Sequence, residues 1–133
     1  VYEKISSDNG FTRREISDEE ITDRCILALI NEGADILSEG VAQRAADIDV
    51  VYINGYGFPI WRGGPMHHAN AMGLDVVVDK LNKYYEITGN NAYKPSDLLI
   101  KLAKEGGKLA DSPSDENRKE KLNFAKSSVA GNF

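Results

Sequence analysis

Apolar residues recur at helical spacing through most of this chain. The strongest run follows Ser17, where Ile21, Cys25, Ala28, Leu29, Glu32 and Ile36 share one stripe. Ile26, Ile30, Ala34 and Leu37 lie beside it and widen the apolar surface. A helix apolar over so wide an arc is expected to sit centrally and to be largely buried. Its start is marked by Ser17 with Glu20 three residues on, a capping box. In that motif the hydroxyl accepts from the amide of residue 20, and the carboxylate reaches back to the amide of residue 17. Gly40 stands where a left-handed residue can end the helix. Residues 1–16 are polar, carry an Asp8-Asn9-Gly10 turn signal and show no periodicity, so they read as a linker or lead-in segment.

Residues 45–54 contain Val50-Val51-Tyr52-Ile53, which suits a strand. Ile48, Val51 and Tyr52 nevertheless fall on one helical face, and the segment is assigned as helix. Gly55-Tyr56-Gly57-Phe58-Pro59 and Arg62-Gly63-Gly64-Pro65 then form a loop, with Pro65 opening a short helix that ends at Gly73. Asp75 is expected to cap the next helix, which buries Val77, Leu81, Tyr84, Tyr85 and Thr88 before Gly89 stops it. Residues 95–105 make another, with Leu98, Leu99, Leu102 and Ala103 inward and Gly106-Gly107 at its end. The pattern predicts an all-α domain over 17–111. A polar extension follows at 112–133, where a surface helix over 114–128 would have only Leu122, Phe124, Ala125 and Val129 as anchors.

With 133 residues, of which 41% are hydrophobic and 28% charged, the chain can build one core without disulfides or a metal. A net charge of −5 with no basic stripe argues against nucleic acid. The single cysteine, Cys25, lies on the apolar stripe and reads as a small core residue. Lack of cysteine pairs fits a reducing compartment. No apolar run approaches the roughly 20 residues needed to span a bilayer. Val1 stands where an initiator Met would, which suggests a fragment or a processed chain.

Candidate chemistry is sparse. Gly55-x-Gly57 follows a β-branched run, but Ile60 occupies the third glycine position and Pro59 blocks the helix start of a dinucleotide fingerprint. His67 and His68 are adjacent, about 100° apart on a helix, and cannot chelate one metal as residues i and i+4 do. They read as surface or hydrogen-bonding groups. Glu32 on the apolar stripe is expected to be a buried carboxylate, paired with Arg24, with Arg44 or with amides of the glycine loop.

Four blocks together are distinctive. They are Glu20-Ile21-x-x-Arg24 running to Asn31-Glu32-Gly33 and Glu39-Gly40; Ala46-Asp47-Ile48-Asp49; Gly55 to Met66, followed by Met72-Gly73-Leu74; and Lys94-Pro95-Ser96-Asp97-x-Leu99. Over residues 16–108 they make the chain resemble the C-terminal domain of 3-hydroxyacyl-CoA dehydrogenases. The second such domain of multifunctional fatty-acid β-oxidation proteins is the nearer likeness, in the bacterial oxidation-complex α-subunit or the peroxisomal bifunctional enzyme. That resemblance implies a helical fold like the C-terminal domain of 6-phosphogluconate dehydrogenase, and helix for residues 45–54.

It also implies a parent enzyme that uses NAD to oxidise 3-hydroxyacyl-CoA and also hydrates enoyl-CoA. The dinucleotide fold and the catalytic histidine–glutamate pair would lie upstream, so no cofactor, metal or catalytic residue is assigned to this chain. Where the catalytic copy has an asparagine–arginine pair near the acyl group, this sequence has Asp23-Arg24, which suggests a degenerate copy kept for packing. Its partners would be the sister C-terminal domain and the dinucleotide-binding domain, with self-association open to the fragment alone. The contact loop would comprise Tyr56, Gly57, Phe58, Pro59, Arg62, Gly63, Gly64 and Pro65. The final Gly131-Asn132-Phe133 is not a peroxisomal Ser-Lys-Leu signal, which points to a bacterial cytoplasm.

Two other readings stay open. One is a stand-alone domain that binds or acts on an acyl thioester through Glu32 and His67. The other is a helical adaptor without a metabolic link.

Overall fold

The computed structural model describes residues 2–10, 12 and 14–111. Among them are six α-helices and no strand: α1 (Tyr2–Asp8), α2 (Asp18–Ser38), α3 (Ala45–Gly55), α4 (Pro65–Met72), α5 (Leu74–Thr88) and α6 (Asp97–Glu105). Short 3-10 turns lie at Ile60–Arg62, Asn91–Tyr93 and Leu109–Asp111. The expected surface helix over 114–128 lies outside the described residues. The lead-in segment is more ordered than its polarity suggests, since it contains α1. None of the described α1 side chains is buried.

The 21-residue α2 is the axis of the domain, touching α3, α4, α5 and α6. Around it α3 packs on α4 and α5 on α6. Leu27, Ile30, Ala34 and Leu37 of α2 meet Met66, Val77, Leu81, Leu99 and Leu109 in one core. Each large aliphatic side chain taken out of water there contributes about 1.5–3 kcal/mol before the ordering entropy is subtracted. The Ser17 hydroxyl accepts from the Glu20 amide at 3.2 Å, and Asp18, Glu19 and Glu20 put negative charge on the positive end of the helix. The reciprocal half of the capping box does not form. Arg14 takes the Glu20 carboxylate in a two-pronged pair, one contact at 2.8 Å, and holds that carboxyl below its usual range.

The stripe expected inside α2 is only partly buried: Ala28, Leu29 and Ile36 are half-buried, with Ala28 and Ile36 packed against the core. Ile21, Cys25 and Glu32 are all exposed, so Glu32 is not a buried carboxylate and Cys25 is not a core residue. Both rows of α2 are apolar, and periodicity alone does not rank them. Two neighbours decide the orientation. Gly33 lies against Met66, close enough that an added Cβ would fall 2.4 Å from its Cε. Asn31 is buried, and its amide group joins α2 to the turn before α6. Its Nδ2 donates to the carbonyls of Ala92 (3.2 Å) and Lys94 (2.8 Å), and its Oδ1 accepts from the Ser96 amide at 2.8 Å. That turn lies between two helices and has no ladder partner, so the side chain supplies what its backbone needs.

Two smaller expectations also shift. Gly73 rather than Asp75 is the N-cap of α5, and Asp75 lies in the first turn, where a negative charge is still favourable. Val51 of α3 is exposed beside a buried Ile48 and a half-buried Tyr52.

Truncating Asn31 to Ala would leave two carbonyls and one amide without partners. We expect a loss of about 2–4 kcal/mol in urea unfolding, whereas Glu32→Ala changes stability by less than about 0.5 kcal/mol.

Candidate functional site

The glycine loop and the polar groups beneath it form the most organised polar region outside the core. It begins where α3 ends. The Tyr52 carbonyl accepts from the amides of both Tyr56 (3.2 Å) and Phe58 (3.0 Å), with Gly57 between them at φ +70°. Phe58 is buried and anchors the turn, and the rings of Tyr52 and Tyr56 stack at 5.3 Å between centroids. Pro59 leads into the 3-10 turn, closed by the Gly63 amide donating to Ile60 at 3.1 Å with Gly63 left-handed. The turn holds Ile60 and Trp61 outward, at 73% and 81% exposure, with Tyr56 at 76%. No motif or spacing in the sequence marks Trp61 as exposed; the shape of the 3-10 turn decides it.

Asp49 fixes the base of the loop. Pro65 opens α4 without an amide, and the N-cap Gly64 has no side chain to offer. Asp49 reaches across from α3 to do that work: Oδ1 accepts from the Met66 amide at 2.7 Å and Oδ2 from the His67 amide at 3.0 Å. Burial pushes the Asp49 carboxyl above its ordinary range, against the opposing pull of the two amides. Gly64 must be glycine here, because an added Cβ would fall 2.4 Å from the Asp49 carboxylate and φ is +94°. The signal in the sequence was an aspartate on the same α3 face as the buried Ala45 and Ile48.

The two histidines brace the loop and do not share a ligand. His67 Nδ1 donates to the Arg62 carbonyl at 3.2 Å, and Arg62 Nη1 donates to His68 Nε2 at 3.1 Å. Burial first, then the charge of Arg62, lowers the His68 pKa below its ordinary value. Among the described residues, no group of three or more histidine, cysteine or acidic side chains could hold a metal ion. A dinucleotide does not fit the Gly55–Gly57 turn: its Tyr56 and Phe58 amides are already bonded to Tyr52, and Pro59 has none to offer a phosphate.

A second polar cluster lies on the first half of α2, at the position of Asp23-Arg24. Asp23 accepts from Lys80 Nζ at 2.7 and 3.0 Å and from the Tyr84 hydroxyl at 3.1 Å. Burial and the bond to Asp23 push the Tyr84 phenol up to about 12, so it remains a donor at any physiological pH. Arg24 donates to the Tyr93 hydroxyl at 3.4 Å, lies over its ring, and approaches Glu20 at 3.6 Å. Neither expected partner reaches Glu32, since Arg44 pairs with Asp47.

The sequence profile described as "3-hydroxyacyl-CoA dehydrogenase, C-terminal domain" matches residues 21–113. The chain belongs to that family. A similar protein is the peroxisomal bifunctional enzyme of Homo sapiens, 46% identical over 111 residues that make up 77% of this chain and 15% of that protein. The same enzyme of Danio rerio is 44% identical over 107 residues, 80% of this chain and 15% of that one. The fatty acid oxidation complex subunit alpha of Vibrio vulnificus is 35% identical over 96 residues, 72% of this chain and 14% of that protein. The chain therefore spans about one seventh of the relatives it matches. In this 3-hydroxyacyl-CoA dehydrogenase C-terminal domain, both polar clusters are occupied by contacts within the domain, and no helix is long and apolar enough to cross a membrane among the described residues.

Replacing Asp49 by Ala strips the α4 amides of their acceptor, and we expect it to cost about 1–3 kcal/mol in denaturant unfolding. A second outcome concerns pH. The fold favours neutral His68, so its contribution is intact above the ordinary histidine pKa and is lost as pH falls through that value toward the lowered one. Thermal stability should fall from pH 7.5 to 5, and His68→Gln should flatten that part of the profile.

Proposed function

We propose that this chain is a noncatalytic packing domain of an NAD-dependent 3-hydroxyacyl-CoA dehydrogenase with enoyl-CoA hydratase activity in fatty-acid oxidation. Its task is to cover a sister C-terminal domain and the neighbouring dinucleotide-binding domain. The observation that carries this is Trp61: a tryptophan 81% exposed, beside Ile60 and Tyr56, on a turn that is hydrogen-bonded on both sides. Large aromatic side chains held rigidly in solvent are the usual anchors of protein contacts, because little rotamer freedom is lost when they are covered. Val50 and Val51 extend the apolar surface along α3.

Asp23 and Arg24 support the noncatalytic part. Where the catalytic copy keeps an asparagine–arginine pair near the acyl group, both side chains here are committed to Lys80, Tyr84 and Tyr93. Glu32 and His67, the pair a stand-alone enzyme would use, share no hydrogen bond among the described residues; the His67 ring is turned to the Arg62 carbonyl. NAD is assigned to the parent and not to this chain. Relatives with peroxisomal and with bacterial names share the domain, so this reading is independent of compartment.

The test mixes the chain with a fragment holding the upstream dinucleotide-binding and first C-terminal domains of the parent. Calorimetry should show binding, and Trp61→Ala should weaken it by about 2 kcal/mol, roughly thirtyfold, without lowering the melting temperature. The chain alone should not oxidise NADH with acetoacetyl-CoA. Turnover by the lone chain, or a Trp61→Ala variant that binds unchanged, would sink the proposal.

A further inference from the structure

The turn that carries Trp61 also carries a cation. From Val50 to Leu74 the sequence holds no aspartate or glutamate, although the chain has 21 acids among 133 residues and a net charge of −5. Arg62 is the single lysine or arginine of that stretch. The segment that builds the apolar surface of Tyr56, Ile60 and Trp61 therefore brings one positive charge and no negative one.

Arg62 is held in place for contact. Its amide donates to the Pro59 carbonyl at 2.9 Å, and its carbonyl accepts from His67 Nδ1 at 3.2 Å. Its Nη1 donates to His68 Nε2 at 3.1 Å, so the guanidinium leans on a neutral ring and keeps its charge. The side chain is exposed, and it makes no ion pair among the described residues. The two acids of α3 are engaged elsewhere, Asp47 with Arg44 and Asp49 with the Met66 and His67 amides.

A planar guanidinium beside an exposed tryptophan fits one kind of complement. That is an apolar hollow with a carboxylate at its rim, which can take the fork through two parallel bonds. A second copy of the chain does not provide it. Docked through the same face, it would set Arg62 against Arg62 with no acid from the 50–74 stretch to answer either, and like charges brought together cost affinity.

We propose that Arg62 sets the partner specificity of this surface, by pairing with a carboxylate of the sister C-terminal domain at the edge of the hollow that receives Trp61. This role rests on the sister-domain reading and adds the chemistry of the contact: Trp61 supplies burial and Arg62 supplies discrimination.

The test measures binding of the chain to the fragment holding the upstream dinucleotide-binding and first C-terminal domains. Surface plasmon resonance compares about 0.05 M with about 0.5 M salt, which shortens the range of exposed charges several-fold. Arg62→Glu should weaken binding about hundredfold at low salt and less than about tenfold at high salt, because screening removes the repulsion. Arg62→Gln should flatten the salt dependence of the association rate, and it keeps the test decisive if the reversed charge disturbs the turn. Trp61→Ala should weaken binding by the same factor at both salts. Lost shape gives a penalty independent of salt, so the salt dependence isolates the charge. An Arg62→Glu penalty equal at both salts, with the rate profile of Arg62→Gln unchanged and Trp61→Ala still weakening binding, overturns the role of Arg62 and leaves the sister-domain reading standing. Self-association of the chain that Trp61→Ala abolishes overturns it too, by assigning the face to a second copy. No binding by the wild-type chain overturns both.

Discussion

A helix of 21 residues with apolar rows on both sides can bury only one of them in a domain this small. The rest of the architecture follows from how that conflict is resolved. Gly33 allows Met66 of α4 to approach the α2 backbone, and Asn31 binds the turn that leads into α6. Together they turn the Leu27–Leu37 side inward and leave Ile21, Cys25 and Glu32 in solvent. Neither residue is strongly apolar. One works by lacking a side chain and the other by satisfying backbone groups that the fold leaves open.

The same economy recurs at α4. A helix of eight residues that starts on Gly64 and Pro65 has no local cap, so its N-terminal amides depend on Asp49 of the preceding helix. That carboxylate is buried beneath the loop whose outer side carries Ile60 and Trp61. A buried polar group thus stabilises an exposed apolar one, and the geometry of the outer surface is inherited from the inner hydrogen bonds. The cost of burying Asp49 shows as its raised pKa.

The polar cluster around Asp23 ties α2 to the elements packed against its first half. Lys80 and Tyr84 of α5 converge on this carboxylate, and Tyr93 receives Arg24. These contacts hold α2 to α5 and to the turn beyond it. Partly buried ion pairs of this kind contribute more to orientation than to net stability.

From the sequence alone, helix content, the glycine and proline boundaries of α4, α5 and α6, and the helical assignment of residues 45–54 were all legible. Periodicity and capping are local, and helices are local structures. The family was legible too, because Gly55 to Met66 and the blocks around it occur in a fixed order. Which row of α2 points inward was not legible: two apolar rows satisfy the same periodicity, and the choice rests on Gly33 against Met66 and Asn31 against Ala92, Lys94 and Ser96. Glu32 and Cys25 were misplaced for that one reason. Asp49 as a remote cap, Arg14 in place of a reciprocal capping box, and the prominence of Trp61 were likewise decided only in three dimensions. Each depends on a partner distant in sequence or on the shape of a turn, and no spacing along the chain encodes those.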